Sequence, residues 1–196
     1  MTVFLRLTVL TISASLTLAG CAQSSNRPQA DRSERSSTPA APVGSDAVEW
    51  VGSFCKTVGI LVRSVYDAAP AVNSTALKTE FTHQLGTAAQ ALRDTATKLK
   101  DLPEAPIADG DRVVDDLIAK FTSQVDVFER AHDAMAALPD DADNRAVGEV
   151  MATASPTMAA LTARPLKDVA VSQDFKTAGS RSPKCRTEPW WSQVAK

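Results

Sequence analysis

"SDAVEWVGSFCKTVGILVRSV", residues 45–65, is the stretch that decides the fold. Ser45 or Asp46 suits a helix N-cap, because a short side-chain oxygen accepts from the free N–H groups of the first turn. Val48, Val51, Cys55, Val58, Val62 and Val65 then recur at three- and four-residue intervals, the spacing of one face of an α-helix. Downstream, "AAPAVNS" (68–74) interrupts the pattern, since proline disfavours helix in the residue before it. Asn73 or Ser74 is placed to cap a second run, with Leu77, Phe81, Leu85, Ala88, Leu92, Leu99 and Leu102 on one stripe. "LPEAPIADGD" (102–111) is the next breaker. Asp109 or Asp111 opens a third run of Val114, Leu117, Ile118, Phe121, Val125, Phe128, Met135 and Leu138. After "PDDADN" (139–144) a fourth run carries Val147, Val150, Met151, Met158, Leu161, Leu166, Val169 and Phe175. Gly179 is its expected C′ residue, and Pro156 and Pro165 are expected to kink or divide it. No segment alternates as a strand does. The expectation is all-α: an up-down-up-down four-helix bundle over residues 45–179, its fourth helix kinked or split at the prolines, followed by a tail over 180–196.

Upstream the character changes. Residues 22–44 are rich in Ser, Pro, Ala and charge, with Val43 the one large apolar residue, a composition that cannot offset the entropy of ordering. They read as a flexible tether. Arg6 is the only early charge, and residues 7–19 carry none. That apolar run is shorter than the roughly 20 residues a bilayer span needs, and its layout is that of a secretory signal peptide.

Leu18-Ala19-Gly20-Cys21 resembles the lipobox of bacterial lipoproteins. The resemblance implies that residues 1–20 are removed and that Cys21 becomes the acylated first residue. It also implies that residues 21–44 tether the domain to the outer face of the bacterial cytoplasmic membrane, where two acyl chains suffice for stable attachment. The Ala-, Thr- and Asp-rich helical domain with a late cysteine resembles uncharacterised lipoproteins of actinobacteria, a likeness that implies no active site. With Cys21 lipidated, the remaining two of three cysteines, Cys55 and Cys185, are expected to pair in an oxidising compartment; two separate buried thiols are the alternative. The bridge fits the bundle, because a fourth helix running back toward the start of the first would deliver Cys185 near Cys55.

The net charge is −2 with signs interspersed, so a nucleic-acid role has no electrostatic footprint. Lys176, Arg181, Lys184 and Arg186 form a small basic cluster, either an ordinary solvated loop or a contact for anionic headgroups. Both histidines of the chain end a Glu-x-x-His: Glu80 with His83, and Glu129 with His132. Two such motifs plus a glutamate from each other helix, here Glu49 and Glu149, form the ligand set of di-metal carboxylate bundles. Helical geometry opposes this, because His83 falls nearly opposite its apolar stripe and Glu49 lies near a helix end. No metal or other cofactor is therefore expected. No Gly-x-Ser-x-Gly elbow or phosphate loop is present.

Trp190 and Trp191 lie just beyond Cys185, as Trp50 lies just before Cys55. A bridge would bring these indoles together, either covering an open end of the bundle or forming an exposed patch for a partner or the membrane. The expected function is a non-enzymatic binding or assembly module, its partners the membrane through Cys21 and a protein of unknown identity. The alternative is a carrier with a small apolar ligand or metal in a cavity lined by Phe128, Met135, Met151 and Met158.

Overall fold

The computed structural model describes residues 43–67 and 76–195. Among these the chain is all-helical, in the order α1 Ser45–Asp67, α2 Leu77–Lys100, α3 Gly110–Ala136, α4 Asn144–Ala163, α5 Gln173–Arg181, α6 Pro183–Arg186 and α7 Trp191–Val194. The signal segment, the lipobox with Cys21, the tether up to residue 42, and Asn73 and Ser74 lie outside the described residues.

The stripes fold as their spacing dictates. On α1, Val51, Cys55, Val58 and Val65 are buried with Trp50, Phe54 and Leu61, while Val48 and Val62 pack at the margin. α2 contributes Leu85, Ala88, Leu92 and Leu99; α3 contributes Val114, Leu117, Phe121, Val125, Phe128 and Met135. Together they form one continuous apolar core. α2 and α3 make the most extensive pairing. α1 packs on α2, α4, α5 and α6, and α3 packs on α4. Cys55 and Cys185 are joined by a disulfide across 130 residues of chain. Both are fully buried.

The helix ends depart from expectation in instructive ways. The Ser45 hydroxyl bonds Asp46, and the Val48 N–H instead donates to the Gly44 carbonyl. Ala76 holds the N-cap position of α2, its carbonyl accepting from the Glu80 N–H. Asp109 sits at the N-cap of α3 but makes no side-chain cap there. Its carboxylate is taken by Ser172, accepting from the backbone N–H at 2.7 Å and from the hydroxyl at 2.6 Å. The same Ser172 oxygen accepts from the Phe175 N–H at 3.1 Å and caps α5. One carboxylate thus fixes where the third long helix and the fifth helix begin relative to each other.

The fourth run is divided, and Pro165 marks the break. α4 stops at Ala163, and the turn that follows carries Asp168 in the left-handed region at φ 69°. Lys120 of α3 holds this turn, its ammonium donating to the carbonyls of Pro165 and Lys167. Pro156 is accommodated inside α4. Gly179 is not the expected C′ residue: α5 runs through it to Arg181, and no described glycine has positive φ. Glycine is required there for close approach, because a Cβ would collide with the Trp191 indole.

Candidate functional site

A groove of about 880 Å³ runs along α2 and is bounded by the end of α3 and the start of α4. On α2 its wall is Lys78, Thr79, Thr82, His83, Gly86, Thr87 and Gln90, the three-and-four spacing of one helix face. Gly86 opens the middle. Glycine inside a helix costs about 1 kcal/mol relative to alanine; His132 lies against this position, its Cδ2 3.5 Å from where a Cβ would stand, an ordinary contact distance. His132 is half-exposed, and its Nδ1 lies 3.1 Å from Asp133 Oδ1. At one end the Lys78 ammonium donates to the Leu138 carbonyl at 2.6 Å and to Asp140 Oδ1 at 3.0 Å, fastening α2 to the loop after α3.

The two histidines singled out by their motifs therefore share one groove, but the glutamates of those motifs do not join them. Glu129 is ion-paired with Arg93 of α2. Glu80 is partly buried, with Oε2 withdrawn from solvent and without a hydrogen-bond partner. Glu49 is exposed, and Glu149 stands 3.9 Å from Arg145 on the surface of α4. Among the described residues no group of three or more His, Cys, Asp or Glu side chains is placed to hold a metal ion. Nor does a serine or cysteine line the groove to act as a nucleophile. It offers hydrogen-bonding groups of both kinds: two imidazoles, threonine hydroxyls, the Gln90 and Asn144 amides, and the Lys78 ammonium with the Asp140 carboxylate it holds. Such a surface can hydrogen-bond a polar partner. Lys78, Gly86 and Asp140 were missed by the motif search. Gly86, three residues after His83 and interior to a helix, was the available signal, since an isolated glycine in a helical pattern costs stability there.

The second notable region lies at the disulfide. Trp190 and Trp191 do not form an exposed patch: they are 2% and 3% exposed. The indoles do not meet Trp50 directly, because Phe175 of α5 stands between them. Phe175 packs edge-on to Trp50 at 6.4 Å and to Phe54 at 5.3 Å, and lies 6.2 Å from Trp191, which meets Trp190 at 5.9 Å. The Trp50 Nε1–H donates to the Pro103 carbonyl at 2.7 Å. Glu188, 7% exposed, lies against Gly59 of α1 and accepts two hydrogen bonds from Arg63 at 2.9 and 3.1 Å. Of the residues expected to line a carrier cavity, Phe128 and Met135 are fully buried, Met151 is nearly so and Met158 packs against the core. They fill the interior.

No helix among the described residues is long and apolar enough to cross a membrane. No family model, curated protein or solved structure matches the chain.

Proposed function

We propose that this protein is a lipid-anchored, non-catalytic binding or assembly module displayed at the outer face of the bacterial cytoplasmic membrane. The observation that carries the reading is the Cys55–Cys185 bridge. Disulfides persist in oxidising, extracytoplasmic compartments, and pairing these two leaves Cys21 as the odd cysteine of three, at the end of a lipobox-like sequence. The α2–α3 groove, lined by an ammonium, two imidazoles, threonine hydroxyls and side-chain amides, supports a surface that binds a polar partner. The filled interior around Phe128 and Met135 favours a module that binds at its surface over a carrier with an internal cavity. We further propose an up-down-up-down arrangement of α1 to α4. Packing of each on the next, together with the α1–α4 contact, supports it.

Two measurements test this. Mass spectrometry of the membrane-extracted protein is expected to find Cys21 as an acylated N-terminus, with Cys21→Ser released from the membrane fraction. Recovery of the native chain in soluble form with an unmodified Cys21 thiol would overturn the anchoring. A photo-crosslinking side chain at Thr87, in the groove, is expected to capture a protein partner in intact cells while one at exposed Lys56 on α1 does not. Equal capture from both positions would remove the groove from the reading.

A further inference from the structure

A smaller cleft of about 220 Å³ lies between the turn that follows α4 and the helices α5 and α7. Three cations stand around it, Arg164 and Lys167 from the turn and Lys176 from α5, and apolar walls come from residues including Leu166 and Val194. None of the three cations takes part in an ion pair among the described residues. Asp168, the nearest carboxylate in sequence, does not line the cleft.

The remaining wall is Trp190. It is 2% exposed, and its Nε1–H is withdrawn from solvent with no acceptor in hydrogen-bonding reach. A buried donor without an acceptor is a cost to the fold, and native structures carry few of them. Trp191 has an unpartnered Nε1–H as well, but its ring lies over Gly179 within the aromatic cluster and lines no part of this cleft. Trp190 differs in bordering a space ringed by cations.

We propose that this cleft binds an anionic amphiphile, a carboxylate or phosphate head on a short apolar chain. The head sits among Arg164, Lys167 and Lys176, with one oxygen accepting from Trp190 Nε1–H, which binding must uncover. The chain lies against Leu166 and Val194. The volume is below the roughly 300–1,000 Å³ of sites for drug-sized ligands, which limits the occupant to a head and its first few methylenes. A free short-chain acid and the upper part of an anionic lipid share this chemistry.

The test follows the three indole N–H signals of the full-length chain by NMR, with Trp190→Phe assigning the one that matters while keeping an aromatic ring in place. Octanoate is expected to shift the Trp190 signal strongly and octanol, equal in length but uncharged, is not. Lys167→Ala with Lys176→Ala, both on the surface and harmless to folding by thermal melt, is expected to weaken octanoate at least about ten-fold, the cost of losing charge-assisted hydrogen bonds. A response to octanoate in solution identifies a free acid as occupant. A response only to phosphatidylglycerol vesicles, with phosphatidylcholine vesicles silent, identifies a lipid headgroup. A Trp190 signal unmoved by all of these, or moved equally by octanol, overturns the proposal, as does a double variant that binds octanoate as tightly as the native chain.

Discussion

Replacing both Cys55 and Cys185 with alanine removes a covalent tie whose worth can be calculated from its place in the chain. The bridge spans 130 residues. In the chain-entropy model a loop of about that length restricts the unfolded chain by about 5 kcal/mol at 25 °C. The folded state should barely change, because the tail is held by other contacts as well: Glu188 on Arg63 and Gly59, and Trp191 on Gly179 and Phe175. The loss therefore falls almost wholly on the unfolded side. At about 2–4 °C per kcal/mol for a domain near this size, the melting temperature is expected to drop by about 10–20 °C. Thermal melts followed by circular dichroism measure the drop, and hydrogen exchange reports whether the bond from Glu188 N–H to the Cys185 carbonyl is still protected in the folded variant. A double variant that melts within about 3 °C of the parent would refute the reasoning. So would one that is strongly destabilised because α6 and α7 have already come loose, since the cost would then lie in native contacts.

Four further outcomes are expected. Gly179→Ala drives a methyl group into the Trp191 indole and should cost about 1–3 kcal/mol in urea titration, the range for overpacking; a neutral result would mean the indole swings clear. Gly59→Ala, which meets the Glu188 carboxylate, should destabilise by a similar amount, and a Glu188→Ala background should recover most of it; if the two losses simply add, the contact is not their cause. Asp109→Ala removes both hydrogen bonds to Ser172 and should cost about 1–3 kcal/mol, because a buried donor is left unpaired; Asp109→Asn should retain part of it, and equal losses would argue against these bonds. Lys120 is held below its ordinary 10.5 by burial, opposed by Asp168 and reinforced by Lys167. A lysine lowered in this way sheds its proton in the folded chain before the unfolded one, so its contribution to stability rises with pH across the interval below 10.5. Denaturant titrations from neutral pH upward should show the native chain gaining on Lys120→Met, and parallel curves would contradict the burial.

The long helices were legible because their information is local. Val51, Cys55 and Val58, or Leu117, Phe121 and Val125, announce a buried face by interval alone, and Pro165 announces a break by chemistry alone. The cysteine pair was legible from number and position. What resisted reading depends on which helix faces which. Asp109 looks like a cap until Ser172 is brought beside it from 63 residues away. Gly179 looks like a terminator until Trp191 folds onto it. The indoles of Trp190 and Trp191 read equally well as covering or as exposed, and Phe175, which decides the matter by standing between them and α1, carried no mark distinguishing it from any other core phenylalanine. The groove was half visible: both histidines were noticed, for a motif that does not assemble, while the register of α2 against α3 that places His132 over Gly86 is invisible to a single-helix view.

The disulfide also decides how tension would pass through the molecule. A pull applied at Val43 must break the bond from the Arg181 guanidinium to the Val43 carbonyl at 2.7 Å and that from Trp50 Nε1–H to Pro103, and lift Ala47, Trp50, Val51 and Phe54 out of the core, before it reaches Cys55. From there the load crosses the sulfurs to α6. Because Cys185 closes the loop, the whole stretch of chain between the two sulfurs is shielded from stretching. A tug on the leading end must therefore strip the first ten or so residues of α1, Trp50 and Phe54 among them, from the core before it stretches anything beyond the bridge.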